Sequence, residues 1–413
     1  MRVVKADLAV VGAGPAGLTA ARAAAERGLR VIVVDEYHRP GGRLLGQLHE
    51  ERGPNGSPRW WKGIEVAQRL VAEATRAGVQ IMTGVQVWGL TPGWTLSLHG
   101  GDCDAISSRV LLLATGAGER PLPVPGWTLP GVITVGAAQI FANVHRVRPG
   151  DRVLLCGVDP LSLTVARELS MAGAEVLGVV LPPAGPLSGD RAHPARVIAS
   201  LSRMAHLAPS PLLRLAGRLF PGEGGARLGA RLYPRSGVKA WGVPLLLRQA
   251  LVRIEGESEV TGAVLTDIDA EGEPIPGRER RVTLDCVALS GGLSPLAELA
   301  AAAGCQMVQS GLGGLVPLHS PTMETEREGL LVAGNITGVE GAPVAMAQGQ
   351  IAGITACRLL GAVTGTEHDR LMDDAVATLR AVREGAAIQF YPGTAEARLQ
   401  LAARWSGRLI AER

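Results

Sequence analysis

"ADLAVVGAGPAGLTAARAAAERGLRVIVVDEYHRPGG", residues Ala6–Gly42, decides the fold. It opens on a short apolar run, "DLAVV", suited to a strand buried on both faces. The turn that follows sets Gly12, Gly14 and Gly17 at Gly-x-Gly-x-x-Gly spacing. Pro15 and Ala16 then open an Ala-rich helix, and Pro costs nothing in a first helical turn. "RVIVVDE" is a second strand ending in acid. Gly12 permits the tight turn, Gly14 lacks the Cβ that would hold a pyrophosphate away, and Gly17 lets the helix lie close on the strand. The first N–H groups of the helix have no partners and its dipole is positive there, so phosphate is attracted. Asp35, 18 residues past Gly17, stands at the strand tip, where a carboxylate accepts from ribose hydroxyls. Glu36 beside it can share or take over that role. The pattern predicts a βαβ unit built around a dinucleotide.

A second stretch, "RVLLCGVDPLSLTVARELSMAGAEVLGVV" (Arg152–Val180), has the same strand, turn, helix and strand. Its turn reads Gly157, Asp159, Ser162. Asp159 puts a side chain where the pyrophosphate should approach, and its charge opposes phosphate. Ser162 in the third position predicts a helix pushed slightly away from its strand. The second strand ends in Leu181-Pro182-Pro183 and offers neither an acid for a ribose nor an Arg for a 2′-phosphate. Two readings stand: a retained scaffold that no longer binds nicotinamide, or a site that binds it by an unusual geometry.

The bulk numbers suit this picture. A chain of 413 residues, 46% hydrophobic, can build two or three cores. A net charge of +3, with no basic run interleaved with aromatics, argues against a nucleic-acid partner. No window holds eighteen uninterrupted apolar residues, and "MRVVKADLAVV" enters a strand without a signal-peptide pattern, so no membrane span and a cytoplasmic location are expected. Cys103, Cys156, Cys286, Cys305 and Cys357 are scattered with no CxxC. Buried, reduced thiols are expected, and neither a redox disulfide nor a four-cysteine cluster. The eight histidines form no metal-spaced pair, and no metal site is expected. No catalytic set for a substrate stands out; His38 and His319 read as structural or surface residues.

Three further stretches carry a resemblance. "RPGG" (Arg39–Gly42), "RVLLLATGA" (Arg109–Ala117) and "EGLLVAGNITGVEGAPVAMAQGQIAG" (Glu328–Gly353) resemble, in order, three motifs of the two-dinucleotide-domain flavoproteins. The resemblance implies FAD. Besides the first turn and its acids, it implies Gly41, Gly42 and Arg43 after the acid, Val87, the Thr115-Gly116 turn, Gly334-Asn335, and Ala342 as cofactor-binding positions. Asn335 departs from the Asp usual there. It hydrogen-bonds but carries no charge, so FAD is expected to bind with altered affinity. A helix starting near Ala342-Pro343 is expected to aim its N-terminus at the pyrimidine edge of the flavin.

"DEYHRPGGRLLGQ" (Asp35–Gln47), "GAGERPLPVPGWTLPGVITVGAAQIF" (Gly116–Phe141) and "LDCVALSGGLSPLAELAAAAGC" (Leu284–Cys305) narrow this further. Together they look like the FAD-binding α-subunit family of heteromeric amine and amino-acid dehydrogenases. That family includes the hydrogen cyanide synthase B subunit, D-hydroxyproline and opine dehydrogenase α-type subunits, and the N-terminal part of sarcosine oxidase α chains. It implies an oxidase-like flavoprotein β subunit that oxidises a substrate such as D-hydroxyproline, an opine, glycine or sarcosine. This chain would relay the electrons through FAD to a downstream acceptor. Members often carry a cysteine-rich [2Fe–2S] segment at the C-terminus. Gly361–Arg413 has no Cys, so such a cluster would sit on a separate small subunit. Two other readings are a self-contained NAD(P)H-dependent flavoenzyme, which Asp159 opposes, and an FAD-bound assembly subunit without catalysis.

The expected fold is α/β, with two Rossmann-like dinucleotide-binding domains. The first part of the FAD domain would be residues 1–118 and its second part 285–365. An NAD-like domain, 119–284, would be inserted between them, with a helical insertion near 184–240. A helical tail, 366–413, would cover the FAD domain or meet a partner. Within the insertion, Val197–Phe220 carries Arg203, Arg214 and Arg218 among apolar residues at helical spacing. It reads as core-packing helices, a partner-docking pair, or a peripheral contact with a membrane surface. Asp269–Arg281 reads as a turn in a β meander.

Overall fold

The computed structural model describes residues 2–52, 58–91, 93–208, 222–391 and 393–411, with Ser210, Arg214, Leu215 and Gly217 besides. Arg218 and Phe220 of the expected amphipathic pair lie outside the described residues. The chain forms two compact units. The first takes Met1–Gln47, Lys62–Gly118 and Leu293–Arg413; the second takes Leu48–Trp61 and Glu119–Gly292.

The first unit begins with strand β1 (Val3–Val11), helix α1 (Pro15–Ala25) and strand β2 (Val31–Asp35). Helix α2 (Gly63–Arg76) leads to β3 (Gln80–Thr83), β4 (Gln86–Thr91), β5 (Thr95–His99) and β6 (Ala105–Leu113). The sheet runs β3-β2-β1-β6-β5-β4. Its parallel centre is apolar on both faces, with Ala9, Ile32, Leu111 and Leu113 on one of them. This is why β1 and β2 read as unbroken hydrophobic runs rather than alternating ones.

The second unit holds another mostly parallel sheet. Its strands are β7 (Val132–Thr134), β8 (Arg152–Cys156), β9 (Glu175–Leu181), β10 (Val243–Glu255), β11 (Gly262–Ile268), β12 (Pro274–Thr283) and β13 (Cys286–Leu289). They run β7-β13-β8-β9-β10-β11-β12, and β10, β11 and β12 form an antiparallel meander. Helix α3 (Pro160–Met171) crosses from β8 to β9. Val153 and Leu155 pack on one face of β8, and Leu154 and Cys156 on the other, as a strand's period of two requires. Helices Pro194–Arg203 and Gly222–Leu232 follow β9. Val197 and Ala226 are buried there, while Leu207, Leu228 and Leu232 are exposed.

After Gly292 the chain returns to the first unit. Strand β14 (Leu330–Val332) joins β6, and three helices follow: α4 (Ala342–Leu359), α5 (Gly365–Glu384) and α6 (Thr394–Ala411). One edge of β6 is thereby shared. Its first residues pair antiparallel with β5, and Leu111–Leu113 pair parallel with β14.

The second unit differs from the expected span in two ways. It runs on to Gly292, because β13 and the turn after it belong to its sheet. It also takes in Leu48–Trp61, whose strands Leu48–Arg52 and Pro58–Lys62 pair with each other. Arg167 on α3 pairs with Glu50 of that segment. Its guanidinium also lies 4.7 Å from the Trp60 ring and 5.7 Å from that of Trp241.

Candidate functional site

The register of the first sheet brings four strand ends to one level. Val11 pairs with Val34 and Leu113, and Leu113 with Val332. The turns after them therefore share the carboxyl edge of the sheet, where α/β proteins bind ligands. The Gly12 N–H donates to Val34 O, Ala114 N–H to Val11 O, and Ala333 N–H to Leu113 O. Gly12 has φ +107°, and a Cβ on it would lie 2.4 Å from Ala114 O. A Cβ on Gly17 would lie 1.9 Å from Gly12 O, so the turn folds back on its own helix only because that position is bare.

Gly14 is the opposite case: a Cβ there would meet nothing within 4 Å. Its place is not explained by packing and suits the approach of a ligand. Gly41 N–H donates to Ala13 O at 2.8 Å, which folds the Gly41-Gly42 segment over the turn. A Cβ on Gly42 would stand 3.1 Å from Gly14 Cα. Arg43 Nε donates to Ala117 O at 3.0 Å, and Thr115 Oγ1 to Leu296 O at 2.5 Å. Thr115 and Gly116 are half-buried on the shared edge. Val87 sits in β4 opposite Leu98 and packs against the sheet's apolar cluster.

The two acids after β2 have different surroundings. Asp35 accepts from Ala13 N–H at 2.6 Å through one carboxylate oxygen and from Tyr37 N–H at 2.9 Å through the other. Burial pushes its carboxyl above the usual range, and the two N–H bonds pull it back. Asp35 thus buckles the turn to the strand. Glu36 is exposed.

Helix α1 starts at Gly14-Pro15 and α4 at Gly341-Ala342, and neither has a side-chain cap. Both keep free N–H groups at their first turns. Gly349 and Gly353 let α4 cross α1 closely, since Cβ atoms there would lie 2.2 Å from Ala16 O and 2.7 Å from Ala20 O. Gly334 N–H donates to the buried Gln348 Oε1 at 2.8 Å, and Asn335 Oδ1 accepts from Glu340 N–H at 3.2 Å. The Asn335 amide N–H₂ remains a donor, where an Asp would offer none. An open glycine, two uncapped helix starts and an exposed carboxylate fit an FAD: anion-attracting N–H groups for its phosphates and an acceptor for its ribose.

The second turn is built alike and filled differently. Cys156 pairs with Leu289, so Gly157 and Ser290 begin neighbouring turns. Asp159 caps α3: its Oδ1 accepts from Ser162 N–H at 2.8 Å, and Ser162 Oγ accepts from Asp159 N–H at 2.9 Å. Ser290 Oγ donates to Asp159 Oδ2. Ser162 therefore has a part of its own in the turn. It is wholly buried as the third residue of a capping box, the part a Ser can play and a Gly cannot. Beside it, Arg191 Nη1 donates to Gly291 O, and a Cβ on Gly292 would strike Arg191 Nη2. The carboxylate of Asp159 thus stands where a pyrophosphate would meet the helix, and Arg191 lies over the neighbouring turn. Ser290 could have been suspected, because it follows β13 as Gly157 follows β8. No sequence signal marks Arg191.

Comparison with known proteins agrees with this architecture. Residues 6–201 match the family model described as pyridine nucleotide-disulphide oxidoreductase, and residues 316–362 that of glucose inhibited division protein A. The opine oxidase A-type subunit of Rhizobium meliloti is 31% identical across 87% of this chain, and 64% of its own length is covered. Its counterpart in Rhizobium meliloti strain 1021 is 30% identical across 86% of this chain, with 71% of its length covered. The chain belongs to the family of opine oxidase A-type subunits. It has the FAD-binding, two-domain Rossmann-type fold. It spans just under two thirds of the first of these relatives. The L-proline dehydrogenase of P. horikoshii shares the fold, with a TM-score of 0.62 at 17% identity over 90% of this chain and 59% of that one.

For a member of the opine oxidase A-type family, in a fold shared with disulphide reductases, the thiols matter. All five cysteines are buried. Burial pushes Cys286 up to about 12 and Cys305 and Cys357 up to about 11, and it raises Cys156 and Cys103 as well. They stay protonated at neutral pH and are poor nucleophiles and metal ligands. His319 is buried, its Nδ1 2.8 Å from Pro317 O, and burial lowers it to about 4. It is a neutral structural imidazole. Among the described residues no helix is long and apolar enough to cross a membrane.

Proposed function

We propose that this chain is the electron-relaying flavin subunit of a heteromeric complex that oxidises an amine or amino acid. FAD is held in the first unit. The start of α1 over Gly12–Gly17 would hold its pyrophosphate, and Glu36 rather than the occupied Asp35 would accept from its adenosine ribose. Gly41–Arg43, Thr115-Gly116, Gly334-Asn335 and the start of α4 hold the flavin half. Bound there, FAD supplies a two-electron carrier, while the chain supplies binding, orientation and the field of the α4 dipole. The observation that carries the reading is the capping of α3 by Asp159. The anion site that would take NADH or NADPH is satisfied by the protein's own carboxylate, which leaves a protein partner as the electron source.

The relatives' name, opine oxidase, points to a secondary amine of an amino acid as the donor. A partner subunit would oxidise the CH–NH bond. The buried, protonated thiols give this chain no dithiol route, so electrons leave to an external acceptor, such as a cluster on a separate small subunit.

Anaerobic titration of the FAD-loaded chain with NADH and NADPH tests this. The flavin band is expected to persist with both nucleotides and to bleach when substrate is added with the partner subunit. Rapid stoichiometric bleaching by either nucleotide alone would overturn the reading and make the chain a reductase in its own right.

A further inference from the structure

We propose that Arg398, on the tail helix α6, is a positioning residue for the flavin: it ties down the Gly334–Gly341 loop from which α4 starts. The proposal rests on the FAD site described above.

Helix α6 is seated by a small apolar cluster. Ala397 and Leu401 pack with Val308, Leu312, Val316 and Leu318, and Trp405 lies against them. These three helix residues recur every fourth position, so they share one face. Arg398 is next to that face and is carried down onto the loop. Its Nη1 donates to Thr337 O at 2.8 Å and its Nη2 to Thr337 Oγ1 at 3.2 Å. Its Nε donates to Glu340 Oε2 at 3.1 Å. Arg383, at the end of α5, grips the same carboxylate with two bonds of 2.8 and 3.0 Å.

The side chains of Glu340 and Arg398 are only 7% and 11% exposed. Burial alone would raise the Glu340 carboxyl, but Arg398 and Arg383 outweigh it and hold the group below its usual range. The ion triad is therefore charged at neutral pH. Inward, Thr337 Oγ1 shares bonds with Gln348 and Gly334 O, and Gln348 Oε1 takes the Gly334 N–H. A continuous chain of bonds thus runs from the tail through Thr337 to Gly334. A second runs from the tail through Glu340 to Asn335, whose Oδ1 takes the Glu340 N–H. Both ends of the cofactor loop answer to one guanidinium. Arg is suited to this because its planar fork makes several bonds in fixed directions, which an ammonium cannot.

Loosening this loop frees the start of α4. Both redox forms of the flavin lose an ordered wall, and the reduced, more negative form also loses the aligned helix dipole. The experiment compares the full-length chain with Arg398→Gln and Arg398→Lys. It measures FAD dissociation by fluorescence titration of apoprotein, the flavin midpoint potential, and the Tm of apo and loaded forms. We expect Arg398→Gln to bind oxidised FAD about tenfold more weakly. Reduced FAD should weaken by a further tenfold or so, which lowers a two-electron potential by about 30 mV. Arg398→Lys should fall between the two.

Arg383→Gln covers the case in which Arg398→Gln fails to fold, since Arg383 is partly exposed and Arg398 stays in place. It should weaken FAD by about threefold, a modest charge-assisted contribution. Unchanged affinity and potential in the folded variants, with only a lower Tm, would reduce the triad to a structural brace and overturn the proposal. Failure of the wild-type chain to hold FAD at all would instead overturn the reading of the site.

Discussion

Asp35 and Glu36 are adjacent acids with unlike surroundings. Asp35 has both oxygens on backbone N–H groups, whereas Glu36 stands exposed at the strand tip. Glu36→Gln should weaken FAD about tenfold, the loss of one charge-assisted bond, with little change in apoprotein stability. Asp35→Asn should act first on the fold. A carboxamide cannot accept at both atoms, one N–H is left unsatisfied, and stability should fall by about 1–3 kcal/mol. Equilibrium denaturation and FAD titration of the two variants separate the roles. From the sequence alone either acid could face the ribose, because their difference lies in which N–H groups the turn presents to Asp35.

At the scale of elements, the crossing of α1 and α4 and the burial of α3 each make a measurable demand. Gly14→Ala introduces a Cβ into open space, so the fold should be intact while FAD is shut out. Gly349→Ala introduces one 2.2 Å from Ala16 O, so α4 must shift off α1. Both stability, by about 1–3 kcal/mol, and flavin content should drop. The ratio of flavin to protein absorbance, read beside Tm, distinguishes a blocked cradle from a sprung one. On α3, Glu168 is buried and accepts through both oxygens from Gln139 Nε2, and burial pushes it up to about 8 from 4.5. The folded state therefore holds a proton that the unfolded chain releases near 4.5. Stability from this group is full below that pH and declines as pH rises toward 8, by on the order of a few kcal/mol. Glu168→Gln should flatten that decline in denaturation curves taken at about pH 5, 6.5 and 8.

Across the whole molecule, what could be read from the sequence was what is local. The Gly12–Gly17 turn, its helix and its acid lie in one short stretch, so the fold class and FAD follow from it and from two later motifs, and the family from three stretches each as local. The degenerate Gly157-Val158-Asp159 turn is equally local. The answer to its Asp is not, because Ser290 reaches it only through the pairing of β8 with β13, and Arg191 reaches the neighbouring turn only by the path after β9. The Leu48–Trp61 segment was illegible for a like reason: it interrupts the first unit in sequence while its partner Arg167 lies far along the chain. Nothing in the order of residues singles out Arg398 or says that its helix lands on Thr337 and Glu340.

The shared edge of β6 has one more consequence, for biosynthesis. Leu111 and Leu330 are register partners, separated by most of the chain. The wall of the cradle that β14 and α4 provide cannot exist until Leu330–Val332 and Ala342–Leu359 have left the ribosome. Most of the second unit is continuous, Glu119–Gly292, and closes its own sheet earlier. Because distant pairing is slow and domains fold as units while they emerge, the order of assembly is set by topology. The inserted unit is expected to close before the flavin cradle does, and protease resistance of chains released at increasing length should appear there first.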